Sequence, residues 1–251
     1  EFTRKVTRND YPILRLKQLG IKKVRVPLVD FLDPVSAARI RLIDGFGLRA
    51  VVFFNGNISK NDFKTLMNMS ESIYAIEVIG LNVPLNILKM LGDTTLPVWY
   101  SKISTSANQT DDTKPFNISV STGCMADEMK EVLSNVSAIS LEKGLRLVVQ
   151  CPWEGDATVS SVQKILKEWG YIENKGVKLA INVRLAPSNP AEENTDSIAM
   201  AQTIKGVQSI AEHNPEVEFI LDTFEAFDRG YHPRLGLVDT LSNISDWYPR
   251  Q

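Results

Sequence analysis

The 251-residue chain has only two cysteines and two histidines. That leaves little material for a zinc site or a His-rich metal centre, so neither a metal nor a cofactor is expected. His213 closes a helical stretch and His232 lies in a Tyr-His-Pro turn. One histidine near a site makes neither a triad nor a metal cage. The chain also lacks a Walker A sequence, a Rossmann glycine fingerprint and a Gly-x-Ser-x-Gly elbow, which excludes the common nucleotide-binding and serine-hydrolase patterns. No apolar run approaches the roughly 20 residues of a membrane helix, so no membrane insertion is expected. The formal net charge is −2 and the sequence pI is about 5.8, which argues against a nucleic-acid partner.

What is present is an alternation. Short β-branched runs are followed by a polar turn, an amphipathic stretch and a glycine. Strands are predicted at Thr3–Thr7, Ile21–Val29, Leu48–Phe54, Ile73–Gly80, Leu96–Ser104, Leu145–Cys151, Val177–Leu185 and Val217–Phe224. Helices are predicted at Tyr11–Leu19, Pro34–Phe46, Lys60–Met69, Pro84–Leu91, Ala126–Lys143, Ala157–Trp169 and Thr195–His213. Gly20, Gly47, Gly92, Gly144 and Gly170 supply stop signals, and Asp33 and Ser59 supply N-caps. Eight strand signals alternating with seven helix signals read as parallel βαβ units. The expected fold is therefore α/β, a (β/α)8 TIM barrel filling 1–251 as a single domain, with the final helix short or absent. A doubly wound open sheet is the alternative, but Thr7-Arg8-Asn9-Asp10 is unlike the phosphate loop that would follow its first strand.

Strand alternation sets Arg25, Glu77, Gln150, Asn182, Arg184 and Asp222 on the faces opposite the apolar ones. Charged groups are almost never buried alone. Their convergence means either a paired network or a site, and a buried Arg25–Glu77 pair is the structural reading of the two deepest. Asn55, Lys102, Trp153, Glu154, Glu225 and Asp228 fall near C-terminal strand ends, where barrel sites sit. Two local clusters stand out. Asp222, Glu225 and Asp228 lie beside Phe224, Phe227 and Tyr231; Trp153, Glu154 and Asp156 follow the sixth predicted strand. Acids with aromatic neighbours suit sugars, because carboxylates bond hydroxyls and aromatic faces stack on the ring. Glu154 and Asp156 also suit the N-terminal dipole of the following helix.

Six Asn-x-Ser/Thr sequons occur, at Asn57, Asn68, Asn108, Asn117, Asn135 and Asn243. Most fall in predicted loops or helix ends, so N-glycans and a secreted or extracellular chain are expected. Cys124 and Cys151 would then be a candidate disulfide, with two buried free thiols as the other reading.

The stretch Asp10–Leu28, DYPILRLKQLGIKKVRVPL, resembles the first helix and second strand of clan A glycoside hydrolases. Gly236-Leu237-Val238-Asp239 is similar to the segment after their eighth strand. The resemblance implies a glycoside-hydrolase barrel in which Arg25 matches the arginine supporting the nucleophile. The usual catalytic glutamates are missing. The acid/base region reads EVIGLNVP over Glu77–Pro84, and the nucleophile strand ends NVRLAP over Asn182–Pro187.

The expected function is a hydrolase-like barrel acting on or binding carbohydrate. If it hydrolyses, Glu154 with Asp222 or Glu225 would form the catalytic pair, with a carboxyl separation of about 5 or 6.5–9.5 Å. Arg25, Asn55, Glu77, Gln150, Asn182 and Arg184 would bind substrate, with Trp153, Phe224 and Tyr231 stacking on the ring. The alternative is a degenerate barrel serving as a non-enzymatic sugar- or protein-binding extracellular domain. A third reading uses Lys102 as the base of a lyase or isomerase. Two carboxyls converging in an open cleft would mark the enzyme; acids neutralised by Arg25 and Arg184 would mark the binder.

Overall fold

The computed structural model describes residues 11–56, 58–80, 85–103, 122–136, 144–172, 176–185, 197–222, 236–238 and 243–245. The elements run α1 (Tyr11–Gln18), β1 (Lys23–Pro27), α2 (Leu28–Leu32), α3 (Pro34–Gly45), β2 (Arg49–Asn55), α4 (Lys60–Met67), β3 (Ile73–Gly80), α5 (Leu85–Met90) and β4 (Val98–Lys102). They continue with α6 (Met129–Val136), β5 (Leu145–Cys151), α7 (Thr158–Tyr171), β6 (Lys178–Arg184), α8 (Ser197–His213) and β7 (Glu218–Asp222).

Local chemistry explains several boundaries. Asp33 caps α3, its Oδ2 accepting from the Ser36 N–H at 2.7 Å, and Pro34 takes the first helical position where a missing N–H costs nothing. Ser59 caps α4 by accepting from the Asp62 N–H at 3.0 Å, and its hydroxyl donates to the Asp62 carboxylate at 2.7 Å. Helix α6 buries Met129, Val132, Leu133 and Val136, the i, i+3, i+4, i+7 stripe of a core-facing helix. Gly144 enters β5 with φ +78°, a left-handed conformation that an L side chain resists.

All described strands are parallel and form one sheet ordered β1-β2-β3-β4-β5-β6-β7. The expected closed eight-stranded TIM barrel is thereby overturned. Among the described residues the sheet has seven strands, with β1 and β7 at its edges. The predicted strand Thr3–Thr7 lies outside the described residues. The fold is α/β, as the alternation of strand and helix signals implied. Two boundary errors have physical causes. Leu28 begins the short helix α2 and does not extend β1, because Pro27 cannot donate to a further ladder bond and serves as the helix N-cap. The predicted helix from Ala126 starts as a 3-10 turn and becomes α-helical at Met129.

The chain divides into two compact units. One comprises residues 21–149 and 173–179, holding β1–β4, most of β5 and helices α2–α6. Its core is built from strand residues such as Val52, Ile76, Val78, Tyr100 and Leu147, all fully buried. The other comprises residues 1–20, 150–172 and 180–251, with α1, α7, α8, β7 and the greater part of β6. Its core includes Val162, Ile181, Val183, Ile204 and Val207.

Candidate functional site

Within the first unit, Glu77 on β3 is completely buried. Arg25 on β1 reaches it across β2. Its Nε donates to Oε2 at 2.8 Å and its Nη2 to Oε1 at 2.9 Å. The guanidinium crosses the ring of Phe53, with Cζ 5.2 Å from the centroid. Phe53 is the register partner of Glu77, so the aromatic ring supports the arginine where it spans the strand between them. Ser101 on β4 donates its hydroxyl to Glu77 Oε1. Three strands therefore converge on one carboxylate, and its charge is fully compensated. Ser101 went unnoticed in the sequence. It sits two residues beyond Trp99, the register partner of Glu77, and the period-2 rule applied to β4 would have found it.

Also in this unit, Lys102 at the end of β4 is ion-paired with Glu128. Glu128 in turn accepts from the Met125 N–H at 2.8 Å. The hydrogen bond to Glu128 raises the Lys102 pKa above its ordinary value. This pairing favours the protonated ammonium, which weighs against Lys102 as the base of a lyase or isomerase. Asn55 ends β2 and is exposed. The Cys124 thiol donates to the Val148 carbonyl at 3.6 Å, and burial pushes its pKa up to about 12.

In the second unit, Arg184 ends β6 and Asp222 ends β7, and the two are register partners. The backbone joins them as well, the Leu185 N–H donating to the Asp222 carbonyl at 2.7 Å. Arg184 Nε faces Asp222 Oδ2 at 3.8 Å. This carboxylate oxygen is buried and accepts no hydrogen bond among the described residues. Asn182, two residues back on β6, is fully buried, and Gln150 on β5 is nearly so. Trp153 is half-buried and Glu154 exposed in the turn before α7. The Glu154 N–H donates to Thr158 Oγ1 at 3.0 Å, and its carboxylate accepts from the Ser161 hydroxyl. Glu154 therefore sits as an acidic residue at a helix start, where the dipole favours it. Among the described residues, no hydrogen bond or ion pair joins Glu154 to Asp222. Glu225, Phe224 and Tyr231 lie outside the described residues.

Cys151 is buried, and its thiol contacts the carbonyl of Thr158 at 3.9 Å. Burial pushes it, too, up to about 12. Cys124 and Cys151 are both free thiols, so the candidate disulfide does not form. Among the described residues, no group of three or more His, Cys, Asp or Glu side chains is placed to hold a metal ion, and no helix is long and apolar enough to cross a membrane.

No protein-family model matches the chain, and no curated protein matches it significantly.

Proposed function

We propose that the chain is an extracellular domain that binds carbohydrate without hydrolysing it. One observation carries this reading. Asp222, one of the strand-end carboxylates among the catalytic candidates, stands opposite Arg184 and keeps a buried oxygen that accepts no hydrogen bond among the described residues. A carboxylate beside an arginine is suited to bonding hydroxyls, which does not need the second carboxylate that glycoside cleavage requires. The same oxygen is an acceptor that no protein group among the described residues uses, and a sugar hydroxyl that reaches it on binding would satisfy it. Asn182, Arg184 and Gln150 supply further polar groups from this unit, and the half-buried Trp153 supplies an apolar face. The missing glutamate motifs support the same reading, with the resemblance to clan A glycoside hydrolases taken as ancestry of a degenerate site. Asn68, Asn135 and Asn243 are exposed sequon positions, and glycans there would displace no core residue.

The test is affinity electrophoresis of the protein through gels containing single polysaccharides. Retardation is expected in at least one gel, with Asp222→Ala weakening the apparent affinity by about tenfold, the order expected for a charged hydrogen-bonding group. An Asp222→Ala variant that runs as retarded as the parent, or a parent retarded by no polysaccharide, would overturn the proposal.

A further inference from the structure

The N-terminal ends of the strands in the first unit carry a row of cations. Lys23 opens β1, Arg49 opens β2, Arg146 is the second residue of β5 and Lys178 opens β6. Lys22 precedes the row, and Lys22, Lys23, Arg49 and Lys178 are all exposed. Lys23 and Arg49 are register partners on adjacent parallel strands. Like charges placed directly opposite repel, and a sheet normally avoids them. Neither Arg49 nor Lys178 forms an ion pair among the described residues; the exposed carboxylates Asp44, five residues before Arg49, and Glu71, before β3, lie on either side of β2 in sequence.

Aromatic rings hold two members of the row, Lys23 and Arg146, in place. Lys23 Nζ lies 3.9 Å from the Tyr74 ring centroid. Tyr74 meets Trp99 edge to face at 6.3 Å. Arg146 Cζ lies 5.8 Å from the Trp99 ring, and its Nη1 donates to the carbonyl of Leu179, the residue after Lys178. The contacts thus run unbroken from β1 to the start of β6. Side chains fixed by ring contacts lose little further freedom on binding.

We infer that this strand-start row is a second binding surface, and that its ligand is a linear polyanionic polysaccharide such as a sulfated glycan. A single compact anion would engage one or two of these cations, whereas strands about 4.8 Å apart spread the row over several such spacings. Single-stranded nucleic acid would need open aromatic faces for base stacking. Here Trp99 is buried and one face of Tyr74 is covered by Lys23. A polysaccharide needs no stacking at this surface, only regularly spaced charge along its length. The inference uses no residue of the Arg184–Asp222 site, so either stands if the other fails.

The test is salt-gradient elution of the full chain from an immobilised sulfated polysaccharide, with competition by soluble heparin, poly-glutamate and single-stranded DNA. Three exposed residues are reversed together, Lys23→Glu, Arg49→Glu and Lys178→Glu. The control reverses Lys164, Lys167 and Lys205 to Glu on α7 and α8, giving the same net charge. The strand-start variant is expected to elute at clearly lower salt, with affinity reduced at least about tenfold, while the control elutes near the parent. Heparin is expected to compete best. Equal loss in both variants, or no retention of the parent, would overturn the inference. Stronger competition by poly-glutamate or DNA would overturn the choice of ligand. Circular dichroism confirms that both variants are folded. Should the triple variant be unfolded, the single variant Lys178→Glu carries the comparison and is expected to shift in the same direction.

Discussion

Arg25 on β1 and Glu77 on β3 form a two-pronged ion pair, at 2.8 and 2.9 Å, that bridges the strand between them. The carboxylate is completely buried, so the pair holds the unit's first three strands in register. Removing one partner would leave the other's charge stranded in a low-dielectric environment. Arg25→Ala is expected to cost about 3–5 kcal/mol in urea unfolding. Arg25→Met combined with Glu77→Leu is expected to recover most of that loss, because the pair's desolvation cost disappears with it. A double variant no more stable than Arg25→Ala would show that the pair does more than satisfy itself.

Gly206 on α8 approaches α7 closely. A Cβ built there would lie 2.7 Å from Val159 Cγ2 and 3.2 Å from Cγ1. Valine is stiff at χ1 and yields poorly. An alanine in mid-helix normally gains up to about 1 kcal/mol over glycine. Here Gly206→Ala is expected instead to destabilise by about 1–3 kcal/mol, and thermal unfolding of the variant checks the sign. Gly206→Ala with Val159→Ala is expected to restore part of the loss.

Both cysteines are buried free thiols whose ionisation is pushed up to about 12. The thiolate is the reactive form. A thiol-specific chromogenic reagent at pH 8 is expected to label neither cysteine in the native protein and both after unfolding without reductant. No label in the unfolded chain would mean an oxidised pair.

The pH dependence follows from groups that hold protons more tightly when folded. Burial raises the Tyr100 phenol and both thiols, and the hydrogen bond to Glu128 raises Lys102. A raised folded-state pKa gives stability that is complete below the unfolded value and declines as pH rises above it. The unfolded values are 9.0 for the thiols, 10.0 for Tyr100 and 10.5 for Lys102. Unfolding midpoints are therefore expected to fall from about pH 9 upward. Tyr100→Phe is expected to flatten the decline, since its hydroxyl makes no hydrogen bond among the described residues.

Much of the α/β pattern was legible because helix caps and stops act locally. Asp33, Ser59 and Gly144 mark boundaries that depend on a few neighbouring residues. The Arg25–Glu77 pair was legible too, since two charges on alternating strand faces have few other fates. Closure of the sheet was not legible, because it depends on strand pairing between distant segments, and a repeat of βα units is compatible with both open and closed sheets. Asp222 stood out as a polar residue in an apolar strand, but its pairing with Arg184 did not. Sequence shows that pair only as two residues 38 apart; the register of β6 against β7 makes them neighbours. The aromatic contacts behind the strand-start cations were equally hidden, because each joins residues on different strands.

The central claim is that the Arg184–Asp222 site binds sugar and does not cleave it. It is tested most directly by incubating the protein for days with a polysaccharide that retards it and counting new reducing ends. The expected result is a count indistinguishable from the protein-free control while the polysaccharide stays bound. Reducing ends that accumulate with the parent and vanish with Asp222→Asn or Glu154→Gln would contradict it.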